Sequence, residues 1–219
     1  AARDALLQQP SRRHPAPRCL LPPLPGSGSP QEQAAAVPVD IQVTGMNSRQ
    51  ISASCVVAAS PDQVWQILTD YDNLSTHVPN LVKSERRTHP TGGIRLFQEG
   101  AQKIVGFDFR ASLTMDMQEV AEEGRTQPSR IKFDLVDSVM FAAFDGEWRL
   151  QPYSRVRSRT QPGKYDYTTK LSYRVNITPK GLVPVPALEW RIKEDVPVNL
   201  LAVRDAAQKL RAAGLAQEV

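Results

Sequence analysis

The chain has 219 residues, 41% hydrophobic and 23% charged, which suits one globular domain with additional segments. Its 27 Lys and Arg against 23 Asp and Glu leave +4, and Arg3, Arg12, Arg13 and Arg18 against Asp4 and Glu32 place +2 of that in residues 1–38. The remaining surplus is too small to argue for a nucleic-acid footprint, and no run approaches the roughly 18 consecutive apolar residues of a membrane span.

Residues 1–38 read as a non-globular leader. The stretch from Pro10 to Pro30 is dense in Pro, Ser and Gly with Arg interspersed. Pro fixes φ and removes a donor, so this stretch builds neither ladder nor helix. An Arg-rich, Ser-containing, acid-poor segment fits an organelle transit peptide, and it fits a plain linker equally well. The chain begins at Ala1 without Met, and upstream sequence is expected. Cys19 lies in this leader. Cys55 lies in an apolar strand pattern, where a thiol acts as a small hydrophobe. Two cysteines and three scattered His argue against a disulfide framework or a metal site.

The folded domain is expected over residues 39–213, with 214–219 as a tail. Val39 to Ala59 reads as two extended runs around a turn at Gly45–Ser48. Ser60-Pro-Asp-Gln63 then offers an N-cap Ser, a Pro at the first helical position and a Gln positioned for a capping box. Val64, Ile67, Leu68 and Tyr71 follow on one helical side, and a short second helix is expected near Asn73 to His77. Strands come next. Phe107, Phe109, Ala111, Leu113, Met115 and Met117 share one parity, while Asp108, Arg110, Asp116 and their neighbours share the other. That alternation marks antiparallel strands with one dry and one wet face. Ile131–Phe133–Leu135, Phe144–Trp148–Leu150 and Leu171–Tyr173–Val175–Ile177 repeat it, with turns at Gly92–Gly93, Gly124 and Pro162–Gly163. The period then changes. Leu188, Ile192, Val196, Leu200, Val203, Ala207 and Leu210 form one apolar helical stripe. Pro186 suits its start, Pro197 predicts a kink or a split, and Lys209, Arg211 and Gly214 predict its end. The order predicts an α+β fold: an antiparallel sheet with a long helix on one side.

Ala59-Ser-Pro-Asp-Gln-Val-Trp65, Leu68-Thr-Asp-Tyr71, Val78-Pro-Asn-Leu-Val82, Phe144-Asp-Gly-Glu-Trp148, Leu171-Ser-Tyr-Arg-Val175, Val183-Pro-Val-Pro186 and Val196-Pro-Val-Asn-Leu200 occur in that order. Together they resemble the START-like, or helix-grip, superfamily (SRPBCC). The closer resemblance is to its coenzyme Q-binding and polyketide cyclase/dehydrase and lipid-transport branch, in the version of photosynthetic organisms. It spans about residues 50–212. It implies a curved sheet wrapped around the C-terminal helix, with an internal apolar cavity between them. It also implies a hydrophobic small molecule or lipid as partner, a prenyl quinone among them, and no cofactor. For the leader it favours a chloroplast location, stroma or thylakoid surface, with the mitochondrion as alternative. The same superfamily hosts transporters and cyclases, so fold alone does not decide between them.

The expected cavity wall comprises Trp65, Phe109, Leu113, Phe133, Phe144, Trp148, Leu188, Leu200 and Leu201. Plain core packing is the competing reading for each member. Arg155, Arg157 and Arg159 alternate on an extended segment, with Lys164, Lys170 and Arg174 following in the same hairpin. They form a candidate membrane contact, against the alternative of a charge-protected strand edge. His77 and His89 show no sequence partner, Asp70–Tyr71 reads as local hydrogen bonding, and no Ser–His–Asp order or phosphate loop appears. No catalytic residue is therefore assigned. The wet-face positions of Asp108, Arg110 and Asp116 count against a cyclase. An interaction or assembly subunit of an organellar complex is the third reading. Deletion of residues 1–38 should leave the thermal midpoint nearly unchanged, and a large drop would show that the leader packs on the domain.

Overall fold

The computed structural model describes residues 37–104, 107–121, 127–159, 161–181 and 185–217. Val39–Gly45 (β1) and Ser48–Val57 (β2) form the first hairpin. Pro61–Thr69 (α1) and Leu74–His77 (α2) follow. Six strands come next: Leu81–Arg87 (β3), Ile94–Ile104 (β4), Phe107–Ala121 (β5), Pro128–Ser138 (β6), Phe141–Arg157 (β7) and Tyr165–Pro179 (β8). Val185–Gln217 (α3) ends the chain order. The strands make one curved sheet of eight in the order β1-β2-β8-β7-β6-β5-β4-β3, and every pairing is antiparallel. The expected α+β helix-grip architecture is present. Among the described residues no helix is long and apolar enough to cross a membrane.

Local signals explain the helix starts. Ser60 Oγ accepts from Gln63 N at 3.3 Å and Gln63 Oε1 accepts from Ser60 N at 2.9 Å, so both halves of the capping box form. α1 buries Val64, Ile67 and Leu68, the periodic positions. Tyr71 is 1% exposed; its hydroxyl donates to Glu119 at 3.1 Å and its carbonyl accepts from Ser84 Oγ at 2.5 Å. Asp70 accepts from the Asn73 amide and Asp72 from the Arg86 backbone, the local bonding expected of them. Val37 is buried in the core, although it falls on the leader side of the expected boundary.

Two features of α3 depart from the sequence expectation. The helix is neither split at Pro197 nor ended before Gly214; it runs as one 33-residue element to Gln217. Pro197 removes one helical donor, yet the helix continues through it and its ring is buried. Leu200, Leu201, Val203 and Ala207 are buried, each 7% exposed or less. At its other end α3 is tied to β2 by the Arg49–Glu189 ion pair at 2.5 Å.

The β6–β7 ladder stops at Asp134–Asp145. Beyond it β6 stays paired with β5 as far as Ser138, and β7 stays paired with β8 from Phe141. The two strands therefore diverge toward their connecting turn, where Ser138 Oγ accepts from Met140 N and Phe141 N. Gly146 sits at the start of this divergence. A Cβ there would lie 2.2 Å from the Arg174 carbonyl oxygen and 2.7 Å from Phe133 Cζ, the close approach that a strand glycine permits.

Asp116, on the wet parity of β5, accepts two hydrogen bonds from Arg95 of β4, at 2.7 and 2.9 Å. His89 Nε2 lies 3.3 Å from the same carboxylate. The sequence showed no partner for either His; His77 also has one, Asp70 at 3.8 Å. The bonded Arg95 guanidinium holds the Asp116 carboxyl below its ordinary range, with a smaller contribution from His89. A carboxyl lowered in the folded state contributes stability above its unfolded pKa and loses it as pH falls. The thermal-midpoint difference between wild type and Asp116→Asn should therefore be full at neutral pH and shrink below about pH 4. A constant difference across that range would assign the effect to packing. Gly146→Ala should cost about 1–3 kcal/mol or more in urea unfolding, by overpacking against backbone and ring. An unchanged midpoint would show that the strand yields there.

Candidate ligand cavity

A cavity of about 510 Å³ lies between the sheet and the N-terminal half of α3, within the size range of small-molecule sites. Its wall follows from strand parity. β5 supplies Ala111, Leu113, Met115 and Met117, β6 supplies Ile131 and Phe133, and β7 supplies Phe144 and Trp148. Leu188, Ile192 and Val196 of α3 face them, and Met140 and Phe141 enter from the diverging turn. The rings form a continuous run. Phe141–Phe144 centroids are 5.3 Å apart, Phe144–Phe133 5.7 Å, Phe133–Tyr173 6.0 Å and Tyr173–Trp148 4.5 Å. Such offset and tilted pairs hold each ring in place.

Of the expected wall residues, Leu113, Phe133, Phe144, Trp148 and Leu188 line this space together. Trp65, Leu200 and Leu201 lie outside its lining: Trp65 is half-buried against the core, and both leucines are core residues. Leu200 sits where α3 closes directly on β2, its carbonyl 4.0 Å from Cys55 Sγ. Burial pushes the Cys55 thiol up to about 11, so it remains a protonated small hydrophobe. The side chain of Phe109 lies outside the described residues. Arg155, Arg157 and Arg159 are exposed, and β7 ends at Arg157, so Arg159 lies in the bend beyond the strand.

Sequence reasoning missed the polar groups of the cavity. Asn80, Arg191, Asp195 and Asn199 all line it. Asn80 Nδ2 donates to Asp195 Oδ1 and to Asn199 Oδ1, both at 3.2 Å. Arg191 pairs with Asp195 at 2.8 Å. The signal was present: Arg191, Asp195 and Asn199 step by four beside the stripe Ile192–Val196–Leu200. The two asparagines belong to the Val78-Pro-Asn and Pro-Val-Asn segments and lie 119 residues apart. Tyr173, on the dry parity of β8, also lines the cavity. Its hydroxyl has no hydrogen-bond partner among the described residues, and burial raises its pKa above the ordinary 10.0, so the phenol stays protonated and able to donate. The site thus combines an apolar aromatic wall, a phenol without a hydrogen-bond partner among the described residues and an internally bonded polar cluster. Among the described residues no group of His, Cys, Asp and Glu is placed to hold a metal ion.

Comparison with known proteins places this geometry. The chain is similar in fold to the Zhui aromatase/cyclase of Streptomyces sp. R1128, with 20% identity, a TM-score of 0.59, and coverage of 76% of this chain and 98% of that one. A START superfamily protein of Mycobacterium smegmatis is 16% identical, with a TM-score of 0.56 and coverage of 74% and 98%. A STAR-related lipid transfer protein of Xanthomonas axonopodis (fragment 25–204) is 12% identical, with a TM-score of 0.52 and coverage of 78% and 98%. No curated protein sequence matches the chain. The family model described as polyketide cyclase/dehydrase and lipid transport matches residues 57–204, a segment that includes every residue lining the cavity. With well over half of its length matched and a START-like sheet and helix around the cavity, the chain belongs to the polyketide cyclase/dehydrase and lipid transport family.

Proposed function

We propose that the protein binds a hydrophobic small molecule or lipid in this cavity and carries or shields it, with a prenyl quinone as the first candidate. The observation that carries the reading is the 510 Å³ space walled by five linked aromatic rings, one of which, Tyr173, carries a hydroxyl without a hydrogen-bond partner among the described residues. Desolvation drives such binding, at about 25 cal/mol per Å² of apolar surface buried. A quinone or other oxygen-bearing head would accept from the Tyr173 hydroxyl. The leader composition and the resemblance to proteins of photosynthetic organisms support a chloroplast location, with the mitochondrion as alternative.

The Arg191–Asp195–Asn80 cluster favours a second reading, a cyclase-like enzyme acting on an elongated polyketone, because it places polar groups inside the cavity. Three facts weigh toward binding. Asp195 is already held by Arg191 and Asn80, Tyr173 keeps its proton, and His77 and His89 are absent from the lining. Multiple turnover of a polyketone, lost in Asp195→Asn, would establish the enzyme instead.

Trp148 reports on the wall. A prenyl quinone should quench tryptophan emission saturably, and Trp148→Phe should remove most of the signal while Trp65 and Trp190 remain. Tyr173→Phe should weaken binding about 5- to 10-fold, the loss of one hydrogen bond of about 1 kcal/mol. Ala111→Trp should reduce binding more than stability, because it fills space rather than overpacking a core. Absence of saturable quenching, together with no lipid or quinone in organic extracts of the purified protein, would sink the carrier reading.

A further inference from the structure

The β7–β8 hairpin extends beyond the rest of the sheet. Its last pairs run from Ser154–Thr168 to Arg157–Tyr165. The β2–β8 ladder ends at Val57–Thr169 and the β6–β7 ladder at Arg130–Arg149, so the ribbon has no strand on either side. Register puts Arg155 opposite Tyr167 and Arg157 opposite Tyr165, so these four side chains share one face. All four are exposed, and the Arg155 guanidinium lies 3.8 Å over the Tyr165 ring. Val156 is 56% exposed on the opposite face and Tyr153, at the bulge, is 65% exposed. Arg159 and Lys164 add cations beyond the strand ends, and Gly163 supplies the turn with φ +81°. Arg157 and Arg159 have no partner among the described residues. The one acid of the ribbon, Asp166, is taken by Arg211.

The geometry points to this hairpin as a docking element for an anionic lipid surface. Three exposed arginines, Arg155, Arg157 and Arg159, against one neutralised carboxylate supply charge complementarity to acidic headgroups. Tyr and Arg carry apolar bodies with polar tips, which suits the headgroup level. The choice of a membrane over a nucleic acid rests on Val156 and the tyrosines: apolar groups on both faces of a narrow ribbon favour insertion, where a flat stacking platform needs them on one face. The tip lies nine residues along β7 from Trp148, at most about 30 Å from the aromatic wall. The hairpin therefore anchors the protein without forming part of the cavity.

The test is co-sedimentation of the full chain with phosphatidylcholine vesicles, with and without phosphatidylglycerol, over a salt series. Binding should require phosphatidylglycerol and weaken with salt. Arg157→Gln and Arg159→Gln should each weaken partitioning about fivefold, and the double variant about 25-fold. Val139→Asp, at the exposed β6–β7 turn on the other end of β7, should leave partitioning unchanged. Quinone quenching in solution should be the same in wild type and double variant, so failure here stands apart from failure of the carrier reading. Equal binding to neutral vesicles, no binding to either, or full partitioning by the double variant would overturn the proposal. Loss on Val139→Asp, or tighter binding to a duplex oligonucleotide at the same salt, would do so as well.

Discussion

The packing of α3 on the sheet governs everything else in this molecule. From Leu200 onward it closes on β2 and α1, with Leu200, Leu201 and Ala207 buried in the core and Val203 at the cavity's edge. Its N-terminal half faces the aromatic strands across a gap, so Leu188, Ile192 and Val196 serve as wall instead of core. One continuous helix thus has two roles along one stripe. Rigidity through Pro197 matters for this, because a broken helix would let its N-terminal half settle onto the sheet and fill the space.

The sheet makes the complementary contribution. Interiors are filled unless backbone geometry prevents it, and here it does. The β6–β7 ladder ends early, each strand follows its other neighbour, and the opening is walled by Phe133, Phe141 and Phe144. Gly146 allows the Phe133 ring and the β8 backbone to approach where any side chain would collide. The wall is adaptable as well as apolar, since Met115, Met117 and Met140 are unbranched and polarizable.

Charge is distributed by depth. Inside, Arg191, Asp195, Asn80 and Asn199 satisfy one another and pin α3 to the loop after α2. A polar cluster of this kind specifies geometry as much as it adds stability. On the sheet's wet parity Arg95, Asp116 and His89 bind the β3–β4 turn to β5. Arg157 and Arg159, without a partner among the described residues, lie at the β7–β8 tip, remote from the cavity, so the proposed docking element and the proposed ligand site are separate.

Much of this was readable from residues alone. Strand parity, the capping box at Ser60 and the period change at Leu188 are local signals, each set by backbone geometry within a few residues, and they determined the elements, their order and five of the wall residues. Local signals also misled. Pro197 and Gly214 are helix breakers by intrinsic preference, yet the helix runs through both: Pro197 is buried in the packed interior, and Gly214 is an exposed position that the helix simply passes. Leu200 and Leu201 continue the same stripe as Leu188, and periodicity cannot show where a helix touches its neighbour and where it stands off. The Asn80–Asn199 bond joins segments 119 residues apart, and both partners of His89 and His77 depended on folding. Which faces are dry was legible in the residues, because side-chain period is a local property of the chain. That part of the dry interior is a cavity, and which polar groups reach it, emerged with the packing of the elements. Both depend on distances between elements that no local pattern encodes.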